Sequence, residues 1–325
     1  MLTRRRFLFV VSASVLVTPL AGGAQPGRVY RVGVVFQGGS YSDVIGGLRD
    51  GLKERGLEDG KQVVFLVRDA RGDLRAVEAA ARTLEAEKVD VIYAIATSVA
   101  VAAKRATKRV PIVFYAGTDP IAVGLVQSFR KPGGRLTGVH GQITDLTPKR
   151  LQLLKEMIPS VRRVVTFYNP ENPAAQEGAK LARAAAQQLK VEVVARPVAS
   201  VEELRVALGG LRPGEVDAYF HMPDAMVTSQ TDHVVEATNA KRLPAMFNYK
   251  DAVMKGALAS YGESYDALGR LSAKHVQQVL LGADPGTLPV EQSDRPQFVL
   301  NLKTAKALGL TIPPSVLARA DHVVE

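Results

Sequence analysis

The side chains with most to offer a small polar solute sit where short apolar runs end. Gln37 and Ser40 follow the run 29–36, Thr97 and Ser98 follow 89–94, and Tyr115 and Asp119 close and follow 111–115. Further along, Tyr168 and Asn169 lie at the end of 163–168, His221 and Asp224 at the end of 216–221, and Phe247 and Asn248 at the end of 244–247. Hydroxyls and amides at a helix start, beside free backbone N–H groups, suit a carboxylate or phosphate. Tyr and Phe suit an apolar or aromatic body, a stacked pair adding about 0.5–1.5 kcal/mol beyond burial. Asp224 is the acid best placed to accept from an ammonium group, because a buried charge needs a partner. Its competing use is to cap the helix after Pro223. Asn169 and Asn172 stand beside prolines, where turn chemistry alone accounts for them. His221 serves either as a contact or as a core residue. Collective placement at run ends carries the reading, not any one residue.

Covalent chemistry has less support. The phosphate-loop spacing fails because Gly60-Lys61 is followed by Gln62. Gly38-Gly39 lacks the third glycine of a dinucleotide fingerprint, and no Gly-x-Ser-x-Gly elbow occurs. The five histidines (140, 221, 233, 275 and 322) show no His-Glu-x-x-His spacing, and there is no cysteine. Neither a metal nor a cofactor is therefore expected. Asp119, Asp224 and Asp251 share no spacing that pairs an acid with a base. The expectation is binding without catalysis.

Residues at run ends are positioned by alternating strands and helices. Strands are expected at 29–36, 63–67, 89–94 and 111–115, with helices at 43–55, 74–87 and 98–107 between them. In the first helix Val44, Leu48 and Leu52 recur at four-residue spacing and Gly56 ends it. After a Gly/Pro-rich join at 131–134 the pattern restarts. Helices are expected at 146–157, 173–189, 201–208, 227–241 and 268–281, with strands at 163–168, 191–195, 216–221, 244–247 and 257–260. Such alternation gives parallel sheets covered by helices on both faces. Two such runs in tandem give two doubly wound α/β lobes, with a ligand cleft at the carboxyl ends of their strands.

The chain has 325 residues, enough for two domains, and is 46% hydrophobic and 23% charged, within the globular norm. Forty-two basic residues against 32 acidic give a net charge of +10. The basic residues are scattered among acids, as in Lys53-Glu54-Arg55, with no run of five, so no nucleic-acid partner is expected. At the N-terminus Arg4, Arg5 and Arg6 precede an uncharged run at 7–20 and the small residues Gly22-Gly23-Ala24. That is the three-part export signal, of Sec or twin-arginine type, and about 14 apolar residues are too few to span a bilayer. Cleavage after Ala24 leaves a net charge of +7.

Several strings resemble a known family. They are Pro111-Ile-Val-Phe114, Asp119-Pro120, Gly124-Leu125-Val126, Arg130-Lys-Pro-Gly-Gly134 with Thr137-Gly138, and Lys149-Arg-Leu-Gln-Leu-Leu-Lys-Glu156. Tyr168-Asn-Pro-Glu-Asn-Pro173 and the C-terminal string from Asn301 through Pro313-Pro314 to Asp321 complete the set. Across 29–325 the chain resembles the substrate-binding proteins of ABC transporters related to the tryptophan/tyrosine-binding group. The resemblance implies a periplasmic-binding-protein type I fold: two lobes joined by three crossings, closing on a small-molecule ligand and docking on a membrane permease. It implies residues 25–139 plus 263–286 in the N-terminal lobe and 140–262 plus 287–325 in the C-terminal lobe. It also implies a periplasmic monomer that binds an amino acid or small carboxylate. The family often has Gly-Thr-Pro where this chain has Ala96-Thr97-Ser98. The alternative within the same fold is a ligand-sensing receptor component.

Overall fold

The computed structural model describes residues 28–293 and 295–325. The expected export signal, residues 1–24, lies outside the described residues.

Two sheets organise the chain. The first is built from β1 (Tyr30–Phe36), β2 (Val63–Asp69), β3 (Val91–Ile95), β4 (Ile112–Ala116) and β5 (Leu136–His140), joined through α1 (Ser42–Glu54), α2 (Leu74–Ala86) and α3 (Thr97–Ala106). The second begins after α4 (Thr147–Met157) with β6 (Arg163–Tyr168), α5 (Pro173–Leu189), β7 (Glu192–Pro197), α6 (Val201–Gly209) and β8 (Ala218–Phe220). It continues through α7 (Ala225–Ser229), α8 (Thr231–Ala240), β9 (Ala245–Phe247), α9 (Lys250–Met254) and β10 (Ala259–Gly262). The chain then returns to the first sheet with α10 (Tyr265–Leu280) and β11 (Glu291–Gln292). It finishes on the second with β12 (Gln297–Asn301), α11 (Leu302–Leu308), α12 (Pro314–Leu317) and β13 (His322–Val324). Three passages therefore link the sheets.

The first sheet has the order β11-β5-β4-β3-β1-β2, parallel throughout. Its central strands β3 and β4 are buried along their whole length, as continuous apolar runs covered on both faces must be. The second has the order β13-β12-β10-β9-β8-β6-β7. It is parallel except that β12 pairs antiparallel with β10 and β13 follows β12. In α1 the side chains of Val44, Leu48 and Leu52 are fully buried, and Gly56, at φ 81°, ends the helix in the left-handed conformation. α1 lies directly on α10. A Cβ on Gly47 would stand 2.0 Å from the Asp266 carbonyl oxygen, so only glycine admits this approach.

Three expectations need correction. The first run of strands does not end at the join at 131–134, because β5 follows it within the first sheet. Gly138 hides this strand from a propensity reading, yet glycine is required there, since a Cβ would meet the Phe114 carbonyl oxygen at 2.1 Å. The helix expected at 227–241 is two helices broken at Gln230, where the Thr231 hydroxyl donates to the Thr228 carbonyl. The last passage to the second lobe comes after Gln292, not at 287, because Glu291 and Gln292 pair with β5.

Candidate functional site

The carboxyl ends of the strands in the two sheets face each other across a narrow cavity of about 20 Å³. The first lobe contributes Tyr41, from the 3-10 turn after β1, Ala96 and Thr97 at the start of α3, and Tyr115 and Gly117 at the end of β4. Ile143, on the first passage, forms the floor. The second lobe contributes Asn172 and Ala174 at the start of α5, Pro223 and Ala225 around the start of α7, and Asn248 after β9.

Local chemistry explains why these segments turn here. Asn172 Oδ1 accepts from Ala174 N at 3.1 Å and caps α5, whose first residue is Pro173. Ala96 precedes α3 with φ 93° and ψ 153°, a conformation ordinarily held by glycine, and no side chain caps this helix. The free N–H groups of its first turn thus start at the cavity wall. Thr97 Oγ1 accepts from Gly117 N at 3.0 Å, fixing that wall to β4.

Two polar atoms of cavity-lining residues have no hydrogen-bond partner among the described residues: the Tyr115 hydroxyl and Asn248 Oδ1. Both residues are buried, and they stand on opposite lobes. Burial holds the Tyr115 phenol well above its ordinary range, with the charge of Glu263 adding to the effect, so it is a neutral donor. Apart from the tyrosines, no ionisable side chain among the described residues lines the cavity. Behind Ile143, the fully buried Arg150 donates to the Ile143 carbonyl and to Thr147 Oγ1, each at 2.8 Å. Burial lowers its pKa to about 9, which leaves it cationic at neutral pH.

The structure brings together Thr97, Tyr115 and Asn248 from the expected set and uses the others elsewhere. Asp224 is fully buried and caps α7: Oδ1 accepts from Val227 N at 3.0 Å, and Oδ2 from Asn169 N at 2.9 Å and Asn172 Nδ2 at 3.0 Å. Burial pushes its pKa up while these donors pull it down. Its acceptor sites are already engaged, so the cap accounts for it. Asn169 in turn accepts from Glu171 N, a turn contact. His221 bonds Tyr219 OH at 2.9 Å and Thr228 Oγ1 at 3.1 Å, and stacks on Phe247 at 4.8 Å. Burial lowers its pKa to about 3, so it is a neutral core histidine, and Phe247 belongs to the same aromatic core. Tyr168 is half-buried against the apolar cluster of the second lobe. Asp119 is exposed and accepts from Ile121 N at 2.7 Å in its own turn. Gln37 bridges Ser98 and the Gly72 carbonyl, binding β1 to its neighbours. Ser40 bonds across the lobes to Asp251.

Sequence reasoning missed Tyr41, Ile143 and, as a wall residue, Asn172. Tyr41 directly follows a residue that was singled out, and Asn172 lies in a motif that was read as a turn. Ile143 carried no signal, since only the passage between lobes puts it in the floor.

A Tyrosine-binding protein of Clostridioides difficile (strain R20291) is 30% identical over 259 residues, covering 80% of this chain and 74% of that protein. Among solved structures, an ABC domain in complex with L-Trp from Streptococcus pneumonia is 30% identical with a TM-score of 0.82, covering 91% of this chain and 100% of that one. The ligand-free, open structure of a substrate binding protein with adhesive properties from Clostridium difficile is 26% identical, with a TM-score of 0.59 and coverage of 91% and 99%. The family described as ABC transporter substrate binding protein matches residues 31–324. With two facing α/β lobes, a cavity between them and a match over nearly the whole described chain, the protein belongs to the ABC transporter substrate binding protein family.

Proposed function

We propose that this protein, once exported to the periplasm and freed of residues 1–24, captures an amino acid or small carboxylate between its lobes and delivers it to an ABC transporter permease. One observation carries this reading: Tyr115 and Asn248 line one cavity from opposite lobes, and the Tyr115 hydroxyl, a buried donor, and Asn248 Oδ1, a buried acceptor, have no hydrogen-bond partner among the described residues. Leaving such a group unsatisfied costs about 1–3 kcal/mol. A ligand with an acceptor at one end and a donor at the other satisfies both. A carboxylate placed against the α3 N-terminus, Thr97 and Tyr115 meets free N–H groups and the positive end of a helix dipole. An ammonium or other donor then meets Asn248, in the place first expected of Asp224. Tyr41, Ile143, Ala174 and Pro223 cover an apolar body.

As the lobes stand, the cavity leaves about 20 Å³ for a guest, room for about one water, so an amino acid enters only when the lobes move apart. The names of the relatives, one tyrosine-binding and one complexed with L-Trp, support an amino-acid ligand. Among the described residues no helix is long and apolar enough to cross a membrane, so the permease is a separate chain in this reading. We read the role as binding without turnover, by a monomer.

A thermal-shift screen of the purified protein against the amino acids and small carboxylates tests the proposal. A ligand at about 100 times its Kd stabilises the protein by about 2.7 kcal/mol. No shift with any amino acid or carboxylate at millimolar concentration would refute the assignment of ligand class.

A further inference from the structure

Ser40 stands in the 3-10 turn Gly39–Tyr41 of the first lobe and is almost fully buried, yet it is absent from the cavity wall. Its hydroxyl donates across the lobes to Asp251 Oδ2, at the start of α9. Ser40 Oγ also lies 3.1 Å from Thr231 Oγ1 of the second lobe. Thr231 donates to the Thr228 carbonyl at 2.6 Å and accepts from the Tyr249 hydroxyl at 2.8 Å. Lys255, one helical turn beyond Asp251, holds that carboxylate at 3.0 Å, so the acceptor is aimed from within its own lobe.

Packing reinforces the polar contact. Tyr265, at the start of α10, stacks between Tyr41 of the first lobe and Tyr249 of the second, each ring centroid 5.1 Å away. Gly39 abuts the second lobe so closely that a Cβ would lie 2.5 Å from the Thr228 carbonyl oxygen. The whole chain superposes better on the L-Trp complex than on the ligand-free, open relative, with TM-scores of 0.82 and 0.59.

We propose that Ser40 is a positioning residue: its bond to Asp251 latches the lobes together and so sets ligand residence time without touching the ligand. The bond is made only when the two lobes meet, so its free energy counts in the closed state alone. Apparent affinity scales with the fraction of protein in the binding-competent state, and removing the latch weakens every ligand by one factor. The affinity half of this proposal rests on the solute-capture reading; the closure half does not.

The chain has no cysteine, so Lys61→Cys and Arg212→Cys, both at exposed positions, place one spin label on each lobe without background. Distance distributions are recorded with and without L-tryptophan as the probe. In the ligand-free protein Ser40→Ala is expected to lower the closed-to-open ratio about tenfold, the effect of losing one hydrogen bond to a carboxylate. Asp251→Ala does the same, and the double variant is no worse than either single one, because both remove one interaction. Asp251→Asn keeps an acceptor oxygen and shifts the ratio less. In stopped flow, L-tryptophan leaves Ser40→Ala faster by the same factor, with little change in association. Distance distributions identical in wild type and Ser40→Ala, or losses that add in the double variant, overturn the latch. If the distances shift but L-tryptophan binds no variant, the latch stands and the tryptophan-like ligand class fails. If L-tryptophan binds all variants equally with unshifted distances, the latch fails and solute capture stands.

Discussion

Replacing Tyr115 by Phe separates a ligand-reading hydroxyl from a structural one. Tyr115 is 1% exposed and its hydroxyl has no partner among the described residues, so the ligand-free protein bears the desolvation of a buried polar atom, about 1–3 kcal/mol. Tyr115→Phe removes that atom and keeps the ring. The ligand-free protein should therefore melt at or above the wild-type temperature, by up to a few degrees at about 2–4 °C per kcal/mol for a chain of this order of size. Binding should move the other way. A hydrogen bond to a ligand carboxylate is worth about 1.5–3 kcal/mol, so Kd should rise about 10- to 150-fold. Calorimetric titration with the best amino acid from the screen, beside a melting curve of the ligand-free variant, reads both quantities. Opposite signs support the site. A fall of several degrees in melting temperature with unchanged Kd would show that the hydroxyl serves the fold, and would remove the lobe-one anchor.

Three further outcomes follow from the same geometry. Asp224→Asn keeps a capping oxygen but sets an amide N–H₂ against the Asn169 and Asn172 donors, so ligand-free stability should fall by about 1–3 kcal/mol in urea unfolding; unchanged stability with lost binding would restore Asp224 as the ammonium partner. Ala96→Gly relieves a backbone conformation costing a non-glycine residue about 1–3 kcal/mol, against about 0.4–1 kcal/mol for the freer unfolded chain, so the urea midpoint should rise and a fall would show that Ala96 is unstrained. Burial raises the phenols of Tyr41, Tyr93, Tyr115, Tyr219, Tyr249 and Tyr265 above the ordinary value of 10.0. A raised folded pKa gives stability that is complete below the unfolded value and lost as pH climbs past it, so stability should be flat in these groups up to about pH 10 and then decline. Ultraviolet phenolate titration should show six of the nine tyrosines ionising together with unfolding, and early ionisation of all nine would contradict their burial.

The alternation of strands and helices was legible in the sequence because burial on both faces demands it. β3 and β4 sit in the middle of a covered parallel sheet and must be apolar throughout, and α1 must repeat Val44, Leu48 and Leu52 to bury one face. The ends of those strands followed, and with them Thr97, Tyr115 and Asn248, since parallel sheets bring their carboxyl ends to one side. Strand β5 was hidden because Gly138, demanded by its contact with β4, weakens the local strand signal. The roles of polar residues at the same strand ends were beyond sequence reasoning for a different reason. Asp224 and Asn172 look alike as free polar groups until tertiary contacts show the first saturated by backbone and side-chain donors and the second placed in the wall. Ser40 and His221 likewise had the right type and position, but Asp251 engages one across the lobes and an aromatic core encloses the other. Periodicity along the chain determines which residues are buried and in what element. Only the meeting of two lobes decides which buried polar atoms are left without a partner, because that depends on contacts between residues far apart in sequence, and the proposed site rests on those atoms.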